Sequence, residues 1–78
     1  MPYIKKETRE VARFEPGSAG ELNFAITMLI KTYQQFRGLS YQTVNDIVGA
    51  LEGAKAEYQR RVVVPYENSK IAENGDVF

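Results

Sequence analysis

The 78-residue chain contains no cysteine, histidine or tryptophan. Without cysteine it cannot form a disulfide, and a metal site would have to be built from carboxylates alone. Without histidine, no serine or threonine has the usual general base beside it. The sequence also has no P-loop and no paired-glycine nucleotide fingerprint. We therefore predict a protein that is not an enzyme, with no catalytic residue, no metal and no cofactor.

The chain carries no excess of either charge, because ten Lys and Arg balance ten Asp and Glu. A net charge of zero disfavours DNA coating, which needs a strongly basic face. No apolar run approaches the roughly 18 residues of a membrane span, and the N-terminal residues lack the apolar core of a signal peptide. We expect an unprocessed cytoplasmic protein that binds neither DNA in bulk nor a membrane.

The small size favours self-association. One domain, residues 1–78, is all that this length allows. Such a short chain buries only about 60–65% of its unfolded surface, so a monomer is marginally stable. With disulfides excluded and metal disfavoured, association of identical subunits is the remaining way to stabilise it. We predict a homo-oligomer.

The first long helix is predicted over residues 19–37, after an N-terminal arm or short helix in residues 1–17. Ser18 and Glu21 form a capping box, and Gly38 supplies a left-handed C-cap. Apolar residues recur with helical spacing and form the core stripe: Leu22, Ala25, Ile26, Leu29, Ile30, Tyr33 and Phe36. Phe24 and Met28 fall outside this stripe. We assign these two side chains to an oligomer interface.

The second long helix is predicted over residues 41–63, with a tail over residues 65–78. Ser40 precedes the helix, and Pro65 disfavours helical geometry at Val64. Its core stripe consists of Val44, Ile47, Val48, Leu51, Ala54, Tyr58 and Val62. The short link between the helices favours an antiparallel hairpin. The predicted fold is therefore all-α: a two-helix hairpin with a short N-terminal element and a C-terminal tail, assembled as a helical homo-oligomer.

Two glycines interrupt the second helix. Gly49 and Gly53 lie on one face together with Ala56, and each glycine costs about 1 kcal/mol relative to alanine. A helix tolerates this cost where something approaches its backbone closely. Packing against a helix of the same or another subunit explains this face, and so does direct approach of a ligand.

A basic cluster near the end of this helix predicts an anion site. Arg60 and Arg61, close to Lys55, offer planar forks that suit phosphate oxygens. Lys31 on the polar face of the first helix can assist, and Tyr66 or Tyr3 can stack on a base. The alternative is a solvated face in which these cations pair with Glu52 and Glu57, with Arg61 four residues after Glu57, and the helix dipole favours the cations.

Several strings in the chain resemble a family of small proteins of tailed bacteriophages and prophages. They are Gly20-Glu21-Leu22-Asn23, Tyr41-Gln42-Thr43-Val44-Asn45-Asp46, Gly49-Ala50-Leu51-Glu52-Gly53-Ala54-Lys55, Arg60-Arg61-Val62-Val63, Pro65-Tyr66-Glu67 and Glu73-Asn74-Gly75-Asp76-Val77. This resemblance implies a viral protein made in the host bacterial cytoplasm.

Residues 19–66 also resemble, in architecture, the phage anti-CBASS sponge proteins, which are helical oligomers that sequester cyclic oligonucleotides. The resemblance implies immune evasion by binding a nucleotide second messenger of antiphage defence, without catalysis. A protein-interaction module that inhibits a host protein is the alternative, as is a phage structural or assembly protein. A basic, aromatic-lined pocket between subunits would favour the sponge. An exposed apolar patch on the oligomer would favour the other two.

Overall fold

The computed structural model describes residues 2–78, and every regular element in that range is helical. A 3₁₀ turn (Lys6–Thr8) leads into a short helix α1 (Arg9–Ala12), followed by α2 (Ala19–Arg37) and α3 (Tyr41–Tyr58). A π-helical turn (Gln59–Val63) then joins α3 to α4 (Val64–Asn74). The predicted all-α class is confirmed. The chain divides into two compact units, Met1–Val44 and Asn45–Phe78. The predicted hairpin would join elements of both units, and it stays a prediction.

Helix α2 begins and ends at the predicted residues because its caps are local. The Ser18 hydroxyl accepts a hydrogen bond from the Glu21 amide at 3.1 Å. The Glu21 carboxylate accepts from the Gly17 amide at 2.9 Å, one residue before the predicted partner Ser18. At the other end, Gly38 has a φ of +84° and donates to the Gln34 carbonyl at 2.7 Å. Its ψ of 152° lies outside the left-handed helical well that we predicted.

We expect Ser18→Ala to destabilise the protein by about 1 kcal/mol, because the Glu21 amide loses its capping acceptor. Ser18→Asp should restore most of the loss, since an aspartate caps equally well and its charge suits a helix N-terminus. Urea denaturation followed by circular dichroism measures both variants. Equal stability of Ser18→Ala and the parent protein would show that this cap contributes nothing.

The N-terminal segment covers Phe24, which corrects the predicted interface. Helix α1 packs on α2 and buries Ala12 completely. The Arg9 guanidinium lies 5.6 Å from the centre of the Phe24 ring, and its Nε donates to the Ile4 carbonyl at 3.1 Å. Phe24 is only 6% exposed as a result. It belongs to the core of the first unit, so it is not available as the oligomer contact that we predicted.

The start of α3 is held by a second small buried network. The Ser40 hydroxyl accepts from the Thr43 amide at 3.1 Å, so Ser40 caps α3 as its position predicts. The Thr43 hydroxyl donates to the Gly38 carbonyl at 2.7 Å. Thr43 is 3% exposed, and this network satisfies its hydroxyl. The turn between α2 and the first residues of α3 is therefore tied down on both sides.

Pro65 does not end the helix, which is the main correction to the predicted elements. The amide of Val64 donates to the Gln59 carbonyl five residues back, which is the bonding pattern of a π turn. Pro65 then falls in the first turn of α4, where its missing amide hydrogen costs little. Helical structure consequently continues from Tyr41 to Asn74, and most of the predicted tail is helix.

The second unit has no core of its own. Within Asn45–Phe78, all of which the structure describes, no residue is buried. Isolated helices in water are marginal without packing, so this unit depends on contacts that it does not itself supply. No helix in residues 2–78 combines the length and the apolar character needed to cross a membrane.

Candidate ligand site at the π turn

Both predicted phosphate-binding arginines lie in the π turn. Arg60 forms a fork with the Glu57 carboxylate, with its Nε 3.2 Å from Oε1 and one terminal nitrogen 2.6 Å and 2.9 Å from the two oxygens. We had considered Glu57 as the partner of Arg61, four residues on, and that pairing is wrong. Both members of the Glu57–Arg60 pair are more than half exposed, so the pair contributes only a few tenths of a kcal/mol.

Arg61 is the more available of the two cations. It is exposed and forms no ion pair with any residue in the described range 2–78. A guanidinium offers five donors in a planar fork, and here none of them is committed to a carboxylate. In the π turn, Arg60 is therefore paired with a carboxylate, whereas the donors of Arg61 face solvent.

Tyr66 lies five residues beyond Arg61, in the first turn of α4. The Lys70 ammonium is 5.6 Å from the centre of its ring, and it also pairs with Glu73 at 3.6 Å. The sequence pattern does not single out Lys70, because it places this residue in a tail after Pro65. The four-residue spacing between Tyr66 and Lys70 would have identified it in a helix. Lys70 adds a third cation to this end of the second unit.

An open groove of about 630 Å³ runs beside α4. Tyr66, Lys70 and Ile71 line one side, and Val77 and Phe78 line the other. The C-terminal pair is almost fully exposed, so this end of the chain is not packed against the helix. The groove is mainly apolar, and Tyr66 and Lys70 are among the residues that line it.

The remaining predicted ligand residues lie in the first unit. Lys31 is exposed on α2, and Tyr3 is exposed before the 3₁₀ turn. The predicted set is thus divided, with Arg60, Arg61 and Tyr66 in the second unit. Met28, which we assigned to the oligomer interface, lies half-buried on α2. Among the described residues, no cluster of three acidic side chains is arranged to hold a metal ion.

The glycine face of α3 has no close neighbour within the second unit. A side-chain carbon added at Gly49 or Gly53 would meet no described atom within 4 Å beyond the adjoining helical turns. Ala56, on the same face, is also exposed. Within the second unit, no residue therefore packs closely on this face. A helix of the first unit, another subunit and a ligand remain as alternatives.

We expect Gly53→Ala to stabilise the isolated helix by about 1 kcal/mol, because the added methyl group meets open space. Gly53→Leu should instead weaken the assembly or ligand binding, because its longer side chain blocks approach to the backbone. Thermal melting and sedimentation of the two variants test this pair. If both substitutions stabilise the protein and leave its assembly unchanged, the face is simply exposed to solvent.

These features define a class: an all-helical protein with little core of its own and a π turn that carries two exposed arginines within its longest helical segment. The chain belongs to the family described as a domain of unknown function, DUF6899, whose model matches residues 1–77. No curated protein and no solved structure matches the chain significantly.

Proposed function

We propose that this protein is a non-catalytic, homo-oligomeric binding protein whose ligand is a small phosphate-bearing nucleotide. The observation that carries the proposal is the π turn, which contains Arg60 and Arg61 as consecutive exposed residues. π turns inside α-helices occur frequently at functional sites. Here the turn also lets the helix continue past Pro65, which falls in the first turn of α4.

The chemistry of the turn suits a nucleotide. Arg61 can give a bidentate contact to a phosphate, and Arg60 can add a second contact when the ligand displaces the Glu57 carboxylate. Tyr66 lies five residues beyond Arg61, a rise of roughly 7 Å along the helix, and offers a face for a base. Lys70 adds charge beside that ring. Lys31 and Tyr3 contribute from the first unit or from another subunit.

Oligomer formation is supported by the apolar side chains that a single chain leaves exposed. Leu22 and Leu29 on α2 and Val48, Leu51 and Tyr58 on α3 are all exposed. A helical protein of this size needs to cover such stripes to be stable. The predicted antiparallel hairpin covers part of them, and contacts between subunits, with Met28 among them, cover the rest.

Sequestration is the mode of action that we propose. Binding without chemistry requires only a preformed site present in many copies, and a small subunit supplies one site per chain. The resemblance to phage anti-CBASS sponges adds a source and a ligand class: a phage protein in the host bacterial cytoplasm that holds a cyclic nucleotide of antiphage defence.

Thermal melting of the purified protein against a panel of cyclic di- and trinucleotides and ADP-ribose derivatives tests the ligand class. A ligand that binds only the folded state stabilises it by about 2.7 kcal/mol at 100-fold above Kd. For a subunit of this size the melting temperature should rise by several degrees or more. The absence of any shift across the panel would reject nucleotide binding.

Capture of a host protein is a second candidate function, favoured by one observation. The apolar side chains on α3 continue over more than four helical turns, which is the pattern of a helix that docks in a groove. Sedimentation of the protein alone separates the two candidates. A stable monomer at micromolar concentration would leave this stripe free for a host partner and would reject the homo-oligomer.

A further inference from the structure

We propose that a second copy of the chain lies antiparallel against α3, with a two-fold axis level with Gly53. The proposal rests on the homo-oligomer proposed above and adds the orientation and the contacts of one interface. Five residues of α3 carry it, spaced alternately four and three apart: Val44, Val48, Leu51, Lys55 and Tyr58. We call this set the α3 seam.

The α3 seam has the spacing of a coiled-coil interface. Steps of four and three keep side chains on one face of a helix and correspond to the a and d positions of a heptad. Val48 and Lys55 take the a positions, and Val44, Leu51 and Tyr58 take the d positions. The apolar members of the seam are between 41% and 61% exposed.

Lys55 decides the orientation. In a parallel pair each a residue faces the same a residue of its partner, so two Lys55 ammonium groups would meet in the middle of the seam. A single polar residue at an a position is a known determinant of register and orientation. Juxtaposed like charges in an interface are strongly unfavourable, and parallel pairing is therefore excluded by the central residue.

Antiparallel pairing removes this conflict because the four seam residues from Val48 to Tyr58 are placed symmetrically about Gly53. It places Val48 opposite Tyr58 of the second copy. Lys55 lies opposite Leu51 of the second copy, over which its aliphatic stem can pack. Each a position then faces a d position, as antiparallel helices require.

The charges beside the seam also fit the antiparallel arrangement. Lys55 faces Leu51 of the second copy, and Glu52 is the next residue of that copy. The Lys55 ammonium and the Glu52 carboxylate of the second copy therefore lie only one residue apart in height along the helix axis. Neither Glu52 nor Lys55 forms an ion pair within the described part of the chain, and both are exposed. Two intermolecular ion pairs, related by the two-fold axis, therefore flank the centre of the interface.

Introduced cysteines test the orientation cleanly, because the chain has none of its own. Val48→Cys and Tyr58→Cys variants are mixed in denaturant, refolded together under reducing conditions and then oxidised. The disulfide-linked dimers are identified by mass spectrometry, which separates the mixed product from either symmetric product. Ala50→Cys, at an outward position of the same helix, is the control. We expect the mixed product, which joins one Val48→Cys chain to one Tyr58→Cys chain, to predominate, and no dimer from Ala50→Cys.

The other outcomes overturn distinct statements. Predominance of the two symmetric products, each joining two chains of the same variant, would establish parallel pairing. In an antiparallel pair, position 48 of one copy and position 48 of the other lie about 15 Å apart along the helix axis, and the same holds for position 58. This separation is too large for a disulfide. An assembly that sediments as an oligomer but gives no cross-link would show that α2 of the same chain or another surface covers the seam. A parent protein that sediments as a monomer would reject the proposed homo-oligomer itself. Circular dichroism of each reduced variant confirms that it folds.

Discussion

Leu51→Asp is expected to dissociate the oligomer. Leu51 lies near the centre of the α3 seam, and each two-fold interface contains it twice. Losing a buried leucine costs about 1.5–3 kcal/mol per copy. Both copies together should therefore weaken association by two to four orders of magnitude. An ion pair between each introduced carboxylate and Lys55 of the second copy, worth about 0–1 kcal/mol, offsets only part of that loss. Analytical ultracentrifugation over a concentration series measures the change.

Ala50→Asp is the matched control for Leu51→Asp. It adds the same charge at the neighbouring residue, which faces away from the α3 seam, so it should sediment like the parent protein. Dissociation by both variants would mean that added negative charge, and not loss of the seam, disrupts the assembly. Unchanged assembly in Leu51→Asp would place the interface on another surface of the chain.

Arg61→Ala is expected to weaken nucleotide binding by at least tenfold. Hydrogen bonds from a charged donor contribute about 1.5–3 kcal/mol each, and Arg61 has no carboxylate partner to offset their loss. The corresponding range is about 10- to 150-fold in Kd. Arg61 is exposed, so the melting temperature of the unliganded protein should change by no more than a few degrees. Isothermal calorimetry with the tightest ligand of the melting panel measures the affinity.

Arg60 and Glu57 supply an internal check on that result. Arg60→Ala should also weaken binding at least tenfold if Arg60 exchanges Glu57 for phosphate. Glu57→Gln should strengthen binding, because it removes a negative charge and releases the Arg60 fork from a 2.6 Å contact. Unchanged affinity in both arginine variants would remove them from the site. Weaker binding in Glu57→Gln would show that the carboxylate helps to shape the site.

The Glu57–Arg60 ion pair shows why the partner of Glu57 could not be predicted from the sequence. Glu57 has two basic candidates, three and four residues further along, and helical spacing allows either pairing. The carboxylate pairs with Arg60, and the π turn that begins at Gln59 changes the angular spacing of the residues after it. A π turn depends on the conformation of the whole helix, so no local sequence pattern around Glu57 predicts it.

Local hydrogen bonds explain why the helix boundaries around Gly38 could be predicted from the sequence alone. The caps at Ser18, Ser40 and Gly38 involve groups within a few residues, and they place α2 and the start of α3 where we predicted them. The all-α class follows from the helical spacing of apolar residues, which is also local information.

Tertiary structure alone decided the environment of Phe24 and the fate of Pro65. Phe24 lies outside the apolar stripe of α2, yet Arg9 and the N-terminal segment cover it. Its burial depends on a contact with residues far away in the sequence, which the spacing of apolar residues in α2 does not encode. Pro65 lies inside continuous helix because the π turn bonds Val64 to Gln59 and leaves the proline in the first turn of α4. Propensity rules treat each residue by its neighbours, whereas burial and helix continuity depend on the chain as a whole.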